Sequence, residues 1–116
     1  MPQTERISHG ASLTDKVAFL QSRGVHGFET LPGHMVQGVC DYIIFGLPPG
    51  GFLTAVLSND LKMAFGRADE QNQHAMRRWV MFMYNEMPSQ AQGSPEKVDE
   101  WMAHGGLCGK REEDAG

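Results

Sequence analysis

The sequence predicts an all-α fold, a compact bundle of four to five helices joined by short loops, on three observations. Apolar residues recur at three- and four-residue steps through most of the chain, the spacing of one helix face. Gly and Pro gather between those runs, where turns are wanted. Ser or Asp stands at the start of several runs, where a side-chain oxygen can cap exposed amides.

Residues 1–11 are polar and aperiodic and read as a flexible N-terminal arm. Ser12 or Thr14 caps a first helix with Leu13, Val17 and Leu20 on its apolar stripe, ended by Gly24. GVHGFETLPG is then a connector whose Val25, Phe28 and Leu31 plug the core edge. A second helix begins near Pro32 or Gly33 and runs to about Gly46, burying Val36, Val39, Cys40, Ile43, Ile44 and Leu47. The run CDYIIFGL is rich in β-branched and aromatic residues and would also suit a strand. The unbroken spacing from Val36 onward favours the helix.

Pro48, Pro49, Gly50 and Gly51 close that element and open a third helix. Its apolar face is Phe52, Leu53, Val56, Leu57, Leu61, Ala64 and Phe65, and Gly66 breaks it. Asp69 caps a fourth helix at the amide of Asn72, with Glu70 favourably placed at the helix start. Met76, Trp79, Val80, Met83 and Met87 form its stripe, and Pro88 stops it. Ser94 and Pro95 start a short fifth helix that packs Val98, Trp101 and Met102 inward. One helical domain therefore spans residues 12–104, and 105–116 read as a disordered tail.

With 116 residues, 41% hydrophobic and 21% charged, the chain is long enough for one packed domain. A net charge of −4 argues against nucleic-acid binding, which wants a basic face. Arg77 and Arg78 read as a solvated helix face. Two cysteines make no disulfide framework and fit a reducing compartment. No run approaches the roughly 18 apolar residues that span a bilayer, and the N-terminus lacks the apolar core of a secretory signal. These features predict a cytoplasmic protein.

The pattern PGGFLxAVLxNDLxxAxxxADxxN, from Pro49 to Asn72, resembles a family of small proteins encoded by bacteriophages, prophages and plasmids. The likeness continues through Tyr84, Asn85 and Pro88 and through GSPEKVDEW from Gly93 to Trp101, about the C-terminal two-thirds of the chain. Such proteins often carry a Cys-Trp pair before the Gly-Ser, where this chain has Ala91 and Gln92. The resemblance implies a mobile-element accessory protein and attaches no activity to it.

Asn59 and Asp60 interrupt the apolar face of the third helix as predicted. A carboxylate there must be paired, because burying it alone costs several kcal/mol. The expectation is a cluster of Asp60, Arg67, Asp69 and Asn72 locking the third helix to the fourth, part of it open to a ligand. Bare amides at Gly50 and Gly51 can meet a phosphate, and Phe52 can stack on a base. The candidate ligand set is Gly50, Gly51, Phe52, Asn59, Asp60, Arg67, Asp69 and Asn72. Five scattered histidines lack metal-ligand spacing, so no metal and no cofactor is predicted.

The fourth helix is apolar over more than half its circumference, which places it at the centre or under a partner. Its methionines suit an adaptable surface. Trp79, Met81, Phe82 and Tyr84 are the candidate interface, with a host protein or a second copy as occupant. The preferred reading is a binding protein that neutralises a host component, an anti-CRISPR or other anti-defence inhibitor. The alternatives are a sponge for a nucleotide messenger and, third, a nucleotide hydrolase with Asp60 as base.

Overall fold

The computed structural model describes residues 7–109 and is all-helical: no strand occurs among the described residues. Seven α-helices follow in order: α1 (Leu13–Gln21), α2 (Gly33–Phe45), α3 (Gly51–Leu57), α4 (Leu61–Arg67), α5 (Glu70–His74), α6 (Met76–Asn85) and α7 (Pro95–His104). Short 3-10 turns at Phe28–Thr30 and Ser89–Ala91 connect them.

Local chemistry sets most of the boundaries. Ser12 caps α1 by accepting from the Asp15 amide, Asp69 caps α5 at Asn72, and Ser94 caps α7 at Lys97. Gly46 in the left-handed conformation ends α2, and Gly105 does the same for α7. α2 is helical through CDYIIF, with Val36, Val39, Cys40, Tyr42, Ile43 and Ile44 buried.

More helices are present than the spacing suggested, because two expected long helices are each broken. The third divides at Ser58–Asp60 into α3 and α4. The fourth divides at Ala75, whose amide is shared between the carbonyls of Gln71 and Asn72, tightening the turn before α6 resumes. Just below that break Asn72 points inward, its Oδ1 accepting from Trp79 Nε1 at 3.0 Å.

Trp79, Tyr42, Leu20, Ile43, Ile44 and Leu53 form the centre of the core. Two long-range bonds tie α2 to the C-terminal third. Tyr42 donates its hydroxyl to the Ala91 carbonyl at 2.6 Å, and Trp101 Nε1 donates to the Tyr42 carbonyl at 3.0 Å. Lys16 is also buried, with Nζ 2.8 Å from Asp41 Oδ1.

The described parts of the expected arm and tail each touch the domain, with Ile7, Leu107 and Cys108 partly buried against the core. His9 lies on the Phe45 ring at 4.0 Å between centroids. Residues 106–109 form a further helical turn, and Gly106 is buried against Gly46. The remainder of both segments, 1–6 and 110–116, lies outside the described residues.

Candidate functional site

The predicted polar pair is neither mid-helix nor buried. Asn59 adopts a left-handed φ of 65°, and both Asn59 and Asp60 are exposed. The Asp60 amide bonds back to the Ala55 carbonyl and the Asn59 amide to that of Val56, which is a Schellman ending for α3 with Asn as the left-handed residue. Asp60 then caps α4, its Oδ1 accepting from the Met63 amide at 3.2 Å. Ser-Asn-Asp is itself a stop-and-start signal, although the apolar spacing continues across it. Asp60→Ala is therefore expected to cost about 1 kcal/mol, the usual loss of an N-cap. Urea unfolding of the two proteins measures it. A loss above roughly 3 kcal/mol would mean the carboxylate is buried after all.

The eight proposed ligand residues separate into distinct places. Gly50, Gly51, Asp60 and Arg67 border one cleft of about 520 Å³ together with Thr54 and Ser58. Arg67 lies across Gly51 so closely that a Cβ there would be 3.0 Å from its Cδ. Among the described residues the Arg67 side chain makes no hydrogen bond or ion pair. Phe52 is instead in the core, edge-on to Trp79 at 5.5 Å and 70°. Asn72 is buried beneath Trp79, and Asp69 sits beside His34 with 2.9 Å between Oδ2 and Nε2. The expected Asp60–Arg67–Asp69–Asn72 lock is therefore absent as a unit: only Asp69 and Asn72 meet, through the cap. That cap amide of Asn72, aided by His34, holds the Asp69 carboxyl below its ordinary value against slight desolvation.

The proposed interface residues divide between the two faces of α6. Trp79 is fully buried and Phe82 nearly so, so neither is open to a partner. Both face the core at helical spacing with Met76 and Met83. Met81 is 45% exposed and Tyr84 is 84% exposed, and Val80, at 52%, joins them. Leu61, at the start of α4, is 65% exposed and meets Val80 across a small recess that also contains Val56 and Asn59. A second recess of about 290 Å³ runs from Val80 and Tyr84 to Gly93. Leu61, Val80 and Tyr84 thus line one continuous apolar strip beside α6, with Met81 on its far side. Sequence spacing missed Leu61 and Val80, having assigned both to the buried stripe.

A further cleft of about 330 Å³ lies on the other flank of α6, where Arg77 and Arg78 open onto Met81 and Phe82. Neither Cys40 nor Tyr42 is placed for nucleophilic chemistry. Burial pushes the Cys40 thiol up to about 12, reinforced by Asp41 and only partly opposed by Lys16. Burial likewise raises the Tyr42 phenol, which is committed to the Ala91 carbonyl. With Asp60 capping a helix in solvent, the premise of a desolvated general base is not met.

Among the described residues no helix is long and apolar enough to cross a membrane. Compared with family models, curated proteins and solved structures, the chain finds no match.

Proposed function

We propose that this chain is a protein-binding module that works by covering a surface of its partner with the outward face of α6 and the start of α4. The observation that carries this reading is the exposed strip of Leu61, Val80 and Tyr84, flanked by Met81, on the side of α6 opposite its buried Met76, Trp79, Phe82 and Met83. Exposed apolar residues gathered in one patch mark interaction sites, whereas single ones need no explanation. Tyr and Met suit such a patch: a rigid aromatic anchors it and flexible thioethers adapt its shape. The resemblance to phage- and plasmid-borne proteins supports only a mobile-element setting; within it we take a host component as the partner and inhibition of a defence system as the outcome.

The test compares the wild-type chain with Val80→Glu/Tyr84→Glu in affinity capture from the host, followed by reconstitution with the purified partner. Binding is expected to weaken at least tenfold, since two central apolar contacts are replaced by charges. Glu100→Gln, on the exposed face of α7, serves as the control and is expected to bind as wild type. Equal binding by the double variant would overturn the reading.

A second reading rests on Arg67, whose guanidinium lies unpaired among the described residues over the Gly50–Gly51 turn. A cleft with that cation and the Thr54 and Ser58 hydroxyls suits a small anionic ligand such as a nucleotide. Thermal stabilisation by a nucleotide panel, lost in Arg67→Ala with the ligand recovered intact, is the expected signature of a sponge.

A further inference from the structure

We propose that the cleft on the Arg77–Arg78 flank of α6 recognises carboxylates on an acidic, partly apolar segment of the partner protein; this rests on the protein-binding reading above. The cleft is formed because the connector before α2 folds against the end of α6. Gly27 takes a left-handed φ of 86°, and a Cβ there would lie 3.7 Å from both Glu86 and Phe82. The His26 amide donates to Glu86 Oε1 at 2.8 Å, holding the connector to the helix. Glu86 therefore has a partner on the connector and does not pair with the arginines.

Arg77 and Arg78 border this space and carry no ion pair or hydrogen bond among the described residues. On a chain of net charge −4, two guanidiniums against the single Glu86 carboxylate leave this cleft with a local excess of positive charge. Guanidinium groups present planar forks that match carboxylate oxygens two at a time. Asn85, about two turns further along, adds an amide on the same side. Phe82 floors the cleft, and the half-exposed Met81 joins it to the apolar face at Val80 and Tyr84.

That continuity selects the ligand class. A nucleic-acid backbone needs a stripe of cations, whereas here the two arginines give way directly to Met81, Val80 and Tyr84. A peptide segment alternating acidic and apolar side chains matches both halves: carboxylates against the guanidiniums, aliphatic groups against Met81.

Fluorescence anisotropy with the full chain tests the assignment, using a labelled peptide of alternating Glu and Leu and the same peptide with Gln for Glu. The acidic peptide is expected to bind saturably and the Gln peptide at least tenfold more weakly. Arg77→Gln/Arg78→Gln is expected to weaken the acidic peptide about 10- to 100-fold, the range for losing charge-assisted hydrogen bonds. Both substituted side chains are exposed, and an unchanged melting curve verifies the fold. Equal binding of the two peptides, an unchanged double variant, or displacement by inorganic phosphate at concentrations where glutamate is inert would overturn it. If those results appear while Val80→Glu/Tyr84→Glu still loses the captured partner, this assignment fails alone. If that variant keeps its partner, the protein-binding reading fails with it.

Discussion

Gly106→Ala is expected to destabilise the domain by about 2–5 kcal/mol and lower its melting temperature by roughly 10–20 °C. Two costs add. Gly106 has φ 69°, a left-handed conformation that costs an L-residue about 1–2 kcal/mol. Its Cβ would also fall 2.6 Å from the Ile44 carbonyl and the Gly46 nitrogen. Those are backbone atoms at the end of α2, and no rotamer change can clear them. The approach is mutual, since a Cβ on Gly46 would sit 2.8 Å from the Gly106 nitrogen. Gly24→Ala separates the two terms: Gly24 has φ 90° but nothing within 4 Å of its missing Cβ. It should lose only the conformational part, about 1–2 kcal/mol. Equal urea midpoints for the two variants would show that the turn after α7 is not packed on α2.

Asp41→Ala is expected to cost about 3–5 kcal/mol, because it leaves the buried Lys16 ammonium without its carboxylate. The Lys16 side chain is 3% exposed and Asp41 21%, with 2.8 Å between Nζ and Oδ1. Gln37 Nε2 donates to the other carboxylate oxygen at 2.9 Å, so the pair is oriented as well as charged. The aliphatic stem of Lys16 fills space on α1 that a hydrophobe can fill equally well. Lys16→Met is accordingly expected within about 1 kcal/mol of wild type, since exchanging a buried ion for an apolar side chain is often neutral. It leaves Asp41 partly in water and still bonded to Gln37. The double variant Lys16→Met/Asp41→Ala should regain most of what Asp41→Ala loses. If chemical unfolding shows Asp41→Ala within 1 kcal/mol of wild type, the ammonium has another route to solvent.

The departures from simple helical spacing share a cause. Leu57, Leu61 and Phe65 keep four-residue helical spacing, so the pattern from Gly51 onward reads as continuous. Leu61 and Phe65 are nevertheless exposed, at 65% and 46%, because the Asn59 turn rotates α4 away from the register of α3. Asp60 follows that turn into solvent, and the polar cluster imagined around it disperses. α6 shows the converse. Its apolar excess was legible as surplus to one stripe, yet Trp79 and Phe82 proved to be core and Met81 and Tyr84 surface. Spacing placed Val80 with the buried side chains, and only the packed partners of Trp79 reveal that Val80 faces out. The arginine pair looked like an ordinary solvated face until the connector at Gly27 folded beside it.

What the amino-acid order determined by itself was the helical class, most helix starts and the glycine stop at Gly46. Ser12, Asp69 and Ser94 act on amides three residues away, a range within which neighbours along the chain decide the outcome. Tertiary structure alone decided that Lys16 and Asn72 go inside, that residues 106–109 pack, and which side of α6 meets water. Those results depend on pairs such as Lys16–Asp41, His26–Glu86 and Tyr42–Trp101, separated by 25, 60 and 59 positions. Local periodicity carries no information about partners so far along the chain, and burial is set by them.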